Sequence, residues 1–475
     1  MPLLFLAIPL AAVVVLSLAL KLLNEKVALW VAIIIAGWQT VMAAVDIGLC
    51  LKSGSDIHST YLGLLSIDNL SAVVLFAIGL MAFVSLIVAK STVKESIFNF
   101  ANMMLLIMLG MNGLVMVRDL FSMYVFVEVI SAASFILIGI KKGRNGLAGA
   151  FKYYMMSAIA SLMMLTSIAL IFMSTGNTGF TSIANYITNA NGKFPFEIII
   201  AFILLTFGLA IKSGAVPFHT WVPNAYSSAP APVSVLLAGI ITKVSGVYVL
   251  MRVFRDVLLN NTAVGRLLLI MGIASILLGA LAAIGHKDMK RMLAYSSISQ
   301  IGYIIIGVAT GSPLGFLGAL LHFFNHSTFK SLLFVNFTAI EMKTGVRDMD
   351  KMGGLAEKMP VTSGSSIIAF LSTAGIPPFS GFWSKLLIIL AVWQMSKSAA
   401  IVALVASAIT LWYFLVLQKK VYYGEPVSAI SGGKESTGGI LSVEILLSAI
   451  NVAVGVAFPF ILIYLNHAGL LHGMM

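Results

Sequence analysis

The stretch IIIAFILLTFGLAIKSGAVPFHTWVP (198–223) decides the fold. A nearly unbroken apolar run from Ile198 to Ile211 ends on Lys212, and Gly214 and Pro217 then interrupt it before apolar residues resume. A run of this kind crosses a hydrocarbon core about 30 Å thick as a helix. Proline removes a backbone donor and frees a carbonyl, which lipid tolerates only inside protein or beside water. The segment therefore reads as a membrane helix broken beside a charge. A second segment, AGIPPFSGFWSK (374–385), repeats the pattern about 160 residues later with Gly375, Pro377, Pro378, Gly381 and Lys385. Paired broken helices in two halves of a chain point to internal repeats with a transport site in each.

The rest of the chain agrees. Of 475 residues 60% are hydrophobic and 10% charged, against about 25% charged in soluble domains; mean hydropathy is +1.04. Cutting at charges, Gly/Pro and Asn clusters gives fourteen expected spans: 2–20, 27–51, 67–89, 99–117, 119–140, 148–173, 198–226, 231–254, 264–286, 293–310, 313–342, 361–396, 400–423 and 440–466. The fold class is thus all-α and polytopic, with 174–197 the longest loop. The lone Cys50 cannot form an intrachain disulfide, a four-cysteine zinc site or an iron–sulfur cluster. No P-loop or dinucleotide fingerprint is present. The net charge of +12 is scattered between apolar segments, which reads as membrane topology rather than nucleic-acid binding. The N-terminus lacks a basic n-region and cleavage site, and reads as the first span.

Counting Lys and Arg orients the chain. Loops opposite the termini hold seventeen, the termini side seven, and five lie inside spans: Lys152, Lys212, Lys243, Lys330 and Lys385. The positive-inside rule then puts both termini outside, in the cell membrane. A lysine at mid-bilayer costs about 2.5–3.5 kcal/mol on insertion scales, so such residues face the interior and serve a purpose. Lys152, with Asp46 and Glu444, lies where snorkelling or a local pair suffices, whereas Glu128, Lys212 and Lys243 lie deep. His322, His326 and Lys330, spaced i, i+4, i+8, share one helix face. Phe323 follows the first histidine where an H-E-x-x-H zinc site needs Glu, so the set reads as a proton relay rather than a metal centre.

These residues resemble the proton-conducting, antiporter-like membrane subunits of complex I and its relatives. The resemblance runs through VPFHTWVPNAYSSAPAPVSVLLAGIITKVSGVYVLMR (216–252), KDMKRMLAYSSISQIGYIIIG (287–307), HFFNHSTFKSLLF (322–334), RDMDKMGGLAEKMPVT (347–362) and AGIPPFSGFWSK (374–385). It implies fourteen helices: N-terminal helices over 1–98, two inverted five-helix repeats over 99–254 and 264–423, and a last helix within 424–475. It also implies that Glu128 pairs with Lys212, and that an axis runs from there through Lys243, His322, His326 and Lys330 to Lys385. Lys385, where the mid-sized complex I subunit is expected to carry Glu, looks more like the D-type subunit of multisubunit cation/proton antiporters or its hydrogenase and sulfane-reductase relatives. Asn224 and Tyr226 stand where the family usually has Asp and His.

The expected function is proton translocation, alone or in exchange for Na⁺, by a non-redox subunit within a multisubunit complex. Its partners are other membrane subunits and, where redox drives it, hydrophilic redox subunits; no cofactor, metal or nucleic acid is expected. Two rival readings fit less well. A scaffold or quinone-site subunit would carry neutral residues at 212 and 243, and a solute transporter would need a polar–aromatic pocket.

Overall fold

A computed structural model describes residues 2–19, 25–53, 59–61, 63–190, 194–425 and 435–467; Lys21, Lys193 and Lys434, counted in the charge bias, lie outside them. The chain folds into α1 (Pro2–Leu18), α2 (Glu25–Ser53), α3 (Asn69–Thr92), α4 (Ile97–Met116), α5 (Leu120–Gly139), α6 (Arg144–Thr175), α7 (Phe180–Asn189), α8 (Phe196–Ser213) and α9 (Trp221–Ser228). Then follow α10 (Ala231–Val257), α11 (Thr262–Ile284), α12 (Met289–Ala309), α13 (Pro313–Thr344), α14 (Pro360–Ala374), α15 (Ser380–Met395), α16 (Lys397–Val421) and α17 (Gly438–His467). A short hairpin of β1 (Ser59–Tyr61) and β2 (Leu65–Ile67) precedes α3, with Ser59 opposite Ile67. Among the described residues, eleven helices are long and apolar enough to cross a membrane.

Local chemistry sets several helix starts. Asp68, Asp119 and Asp288 each accept a hydrogen bond from a backbone N–H three residues on, at 2.8, 2.7 and 2.8 Å. An aspartate there satisfies one of the donors that a helix N-terminus leaves free. Both expected breaks occur: α8 and α9 split the first segment, α14 and α15 the second. One expectation fails. The loop at 174–197 contains the ten-residue α7, whose Phe180, Ile183 and Ile187 are buried. Their i, i+3, i+7 spacing gives a short helix one apolar stripe, too brief to stand out from the polar Asn and Thr around it.

The centre of the bundle is polar as well as apolar. Helix α10 is buried from Pro232 to Phe254, and α13 is buried nearly throughout from Gly315 to Ile340. At 32 residues α13 is about 48 Å long, and it carries His322, Asn325, His326, Lys330 and Asn336, all fully buried. Because protein rather than lipid surrounds it, α13 needs no apolar outer face. The outer helices do the reverse, exposing Leu162, Ile270, Leu404 and Trp412 to the bilayer. Away from the core, Asp350 joins Lys287 at 2.8 Å and Lys420 at 2.5 Å. The two lysines hold its carboxyl down to about 2, and so tie two loops and the end of α16 together on one face.

Helix α10 does not wind as a plain α-helix: Leu237–Ile241, Lys243–Tyr248 and Val253–Val257 are π-helical. Within it Gly246 lies directly on the end of α8, where a Cβ would come within 2.4 Å of the Ser213 backbone nitrogen. Backbone cannot step aside as a flexible side chain can. We therefore expect Gly246→Ala to lower the thermal midpoint of the purified chain clearly, while Gly364→Ala, whose Cβ would meet nothing within 4 Å, leaves it unchanged or slightly raised. Fluorescence-detected size exclusion after heating measures both.

Candidate functional site

The site begins where α8 ends. Gly214 adopts φ +70°, a left-handed conformation that costs glycine little. Its N–H donates to Ile211 O at 3.0 Å and that of Ala215 to Ala210 O at 3.0 Å. The Trp221 indole donates to Ile211 O as well, at 3.0 Å. The chain thereby closes the last turn of α8 with its carbonyls satisfied, and Lys212 is held in that last turn.

The Lys212 ammonium meets only oxygen. It donates to Glu128 Oε1 at 3.2 Å, Ser131 Oγ at 2.8 Å, Ser157 Oγ at 2.6 Å and Ser161 Oγ at 3.4 Å. Ser161 Oγ also donates to Glu128 Oε1. The lysine side chain is 4% exposed and the glutamate 37%, so the pair runs from the protein interior to a lateral opening. That opening is a cavity of about 390 Å³ lined by Tyr124, Glu128, Tyr153, Ser157 and Ser161 among others. On the inner side a narrow void lined by Ser157, Lys212, Thr242 and Ser245 leads toward α10, with room for about one water.

Lys243 follows on α10, fully buried, its ammonium donating to the Ala238 carbonyl. The π-helical turn supplies that acceptor, because widening a helix by one residue withdraws carbonyls from the backbone ladder. Tyr226 donates to Leu237 O at 3.0 Å and sits 3.0 Å from Thr242 Oγ1. It therefore supports the widened turn. Asn224 instead accepts from Lys152 at the surface, at 3.3 Å.

The set on α13 is wholly buried. His322 Nδ1 lies 2.8 Å from Ser384 Oγ, and its ring is 6.1 Å from that of His326. His322 Nε2 and both nitrogens of His326 lack hydrogen-bond partners among the described residues. The charges nearest His326 are those of Lys243 and Lys330. Lys330 donates to Ser296 Oγ at 2.6 Å, which pairs with the Tyr413 hydroxyl at 2.7 Å. Lys385, on α15 beyond the second break, donates to Ala374 O at 3.3 Å and Ser407 Oγ at 3.1 Å, and lies over the Tyr303 ring. Gly375, at φ +84°, ends α14 as Gly214 ends α8. Among the described residues no group of three or more His, Cys, Asp or Glu is arranged to hold a metal.

Six of the seven expected site residues are buried within the bundle, and Glu128 is half-buried at the lateral cavity. Lys152 and Asp46 stand apart from these, the first exposed and the second half-buried. Sequence reasoning missed the serines and tyrosines that solvate the lysines, Ser131, Ser157, Ser161, Ser296, Ser384 and Tyr303 among them. The spacing Ser157–Ser161 opposite a lysine was the one available signal. It also missed a second buried charge. Arg252, at the end of α10, donates to Asp68 at 2.5 and 2.6 Å and to Asp256 at 3.1 Å, with Arg118 also 3.4 Å from Asp68. Burial pushes the Asp68 carboxyl up, but Arg252 and Arg118 outweigh it and hold the group well below the usual carboxylate range. The cluster pins the far end of α10 to α3.

Comparison with known proteins now places the chain. Residues 117–410 match the family described as NADH:quinone oxidoreductase/Mrp antiporter, transmembrane. The chain is 31% identical over 399 residues to NADH-quinone oxidoreductase subunit N of Sphingopyxis alaskensis, covering 82% of each. It is 31% identical over 350 residues to the D-type subunit of the Na⁺/H⁺ antiporter of Alkalihalophilus pseudofirmus, covering 73% of this chain and 70% of that one. A chain of the Mrp complex from Dietzia sp. DQ12-45-1b superposes with a TM-score of 0.88 at 25% identity, over 98% of this chain and 96% of that one. The protein belongs to this family of antiporter-like integral membrane subunits.

The Asp68–Arg252 pair yields a prediction. Asp68→Asn leaves a buried guanidinium without its main partner and should cost toward the lower end of about 3–5 kcal/mol, since Asp68 is 30% exposed. A carboxylate held low contributes fully above its unfolded pKa of about 3.9 and loses that contribution as pH falls below it. The stability difference from wild type should therefore stay constant between about pH 6 and 8 and shrink only below about pH 4. Thermal unfolding across that range checks both the size and the sign.

Proposed function

We propose that the protein moves protons across the cell membrane along the run Glu128, Lys212, Lys243, His322, His326, Lys330 and Lys385, as a non-redox subunit of a multisubunit complex. The observation that carries this reading is the Lys212 ammonium, held among Glu128 and three serines at the end of a broken helix. Burial disfavours the ammonium and a nearby carboxylate favours it. While Glu128 stays close, Lys212 keeps its proton; as the pair opens, the proton passes inward past Ser157, Thr242 and Ser245 toward Lys243. A charge arriving at Lys243 repels those at His326 and Lys330, so the state of one site biases the next.

The reading includes fourteen crossings, with an N-terminal part over 1–98, inverted repeats over 99–254 and 264–423, a last helix within 424–475, and both termini on the outer side. The matching glycine-closed ends of α8 and α14 support the repeats, and the excess of Lys and Arg opposite the termini supports the orientation. The likeness extends both to an NADH-quinone oxidoreductase subunit N and to the D-type subunit of an Na⁺/H⁺ antiporter, and so supports proton translocation, driven by redox partners or in exchange for Na⁺, with other membrane subunits as partners.

Two tests separate this from a passive scaffold. Lys212→Ala and Glu128→Ala should each reduce translocation by at least about tenfold in membrane vesicles, with the complex assembled at normal levels. Normal transport in either variant refutes the pair as a proton site. In the α13 set, His322→Gln or His326→Gln keeps hydrogen bonding but not titration near neutral pH. Slowed translocation by the Gln variants supports a relay, and normal rates reduce the pair to interhelical packing.

A further inference from the structure

Glu444 on α17 lies outside the run described above. It is fully buried, and it makes no salt bridge among the described residues. Its oxygens meet neutral groups: Thr362 Oγ1 donates to Oε2 at 3.1 Å, and one end of the Asn336 amide lies 3.1 Å from Oε1. Thr362 Oγ1 is also 3.4 Å from Glu435, whose carboxylate caps the start of α14 through the Val361 N–H at 2.7 Å. A chain of carboxylate, hydroxyl, carboxylate and amide therefore runs inward from the face opposite the termini.

The groups facing Glu444 are Asn336 from α13, Thr362 from α14, Tyr422 at the end of α16, and Glu435. Among the described residues the only charge facing Glu444 is another anion, Glu435. The Tyr422 hydroxyl is fully buried, lacks a hydrogen-bond partner of good geometry, and faces Ser366, Glu444 and Glu435. A buried carboxylate with no cation is costly unless it takes up a proton or a cation.

The Asn336 amide is satisfied in one orientation: its nitrogen donates to Glu444 Oε1 at 3.1 Å, while its oxygen accepts from Ser366 N at 3.0 Å. That bond leaves the second carboxyl oxygen, beside the Thr362 hydroxyl, free to carry a proton. Asn336 follows Lys330 by six residues on α13, about 9 Å along the axis. The Phe414 ring packs beside Lys330, 5.5 Å from its ammonium and 6.1 Å from the Phe370 ring.

We propose that Glu444 is a proton-binding site that loads from the face opposite the termini, through Glu435 and Thr362, and feeds Lys330. Its role in transport rests on the relay proposed above; its protonation does not. The proton comes from water, is held on the Glu444 oxygen beside Thr362, and leaves inward when Lys330 is vacant.

Infrared difference spectra of the full chain in lipid nanodiscs, recorded across pH, test the site without any transport. The expected result is a protonated-carboxyl stretch that titrates in wild type, is missing in Glu444→Gln, and shifts in Asn336→Leu. Spectra in which Glu444→Gln removes no titrating band overturn the proposal. Titration displaced by Na⁺ but not by choline overturns the proton assignment in favour of a cation. In vesicles, Glu444→Gln should slow translocation by roughly tenfold, and an unchanged rate in a preparation where Lys212→Ala is inactive overturns the feeding role. Normal transport by Lys212→Ala, with the Glu444 band intact, refutes the relay and leaves the protonation site standing.

Discussion

An ammonium inside a lipid-embedded bundle must be surrounded by oxygen, and this requirement organises the structure around Lys212. Its four acceptors come from α5 and α6, while the lysine itself comes from α8. Three helices must therefore stay in register to within a hydrogen bond. The break after Lys212 serves the same need. An uninterrupted helix would carry backbone and side chains straight past the site, whereas the glycine-closed end turns the chain away, with Trp221 donating to one of the last carbonyls.

From that point the polar centre extends because the helices at the core are themselves irregular. The π-helical turns of α10 bring a carbonyl to Lys243 and press Gly246 onto α8. Helix α13 carries nine buried polar side chains through the middle of the protein because α10, α12, α14, α15 and α17 shield it from lipid. Such an interior is costly wherever a partner is missing. The partners are mostly hydroxyls, which both donate and accept and so suit either protonation state of a neighbouring lysine.

Charges at the two faces hold the frame. On one side Arg252, Asp68 and Arg118 lock α10 to α3 and to the segment before α5. On the other, Asp350 between Lys287 and Lys420 draws together the loop that leads into α12 and the end of α16. The lysines of the interior run have neutral or distant neighbours instead, apart from Lys212.

The sequence by itself determined the membrane class and both helix breaks, and it singled out seven ionisable residues, six of them buried in the bundle. Each is a local signal: apolar length, Gly/Pro interruption, and charge where lipid would penalise it. Tertiary structure alone decided the rest. Ser157 and Ser161 look like ordinary serines until α8 brings Lys212 against them. Arg252 sits at a helix end that reads as a loop charge until Asp68, 184 residues away, meets it. Glu444 reads as a flanking acid until α13, α14 and α16 close around it. Helix α7 was lost because a stripe of three buried residues, Phe180, Ile183 and Ile187, is too short to separate from a loop. Hydropathy is a property of neighbours in sequence, whereas solvation of a buried charge depends on neighbours in space, which only packing selects.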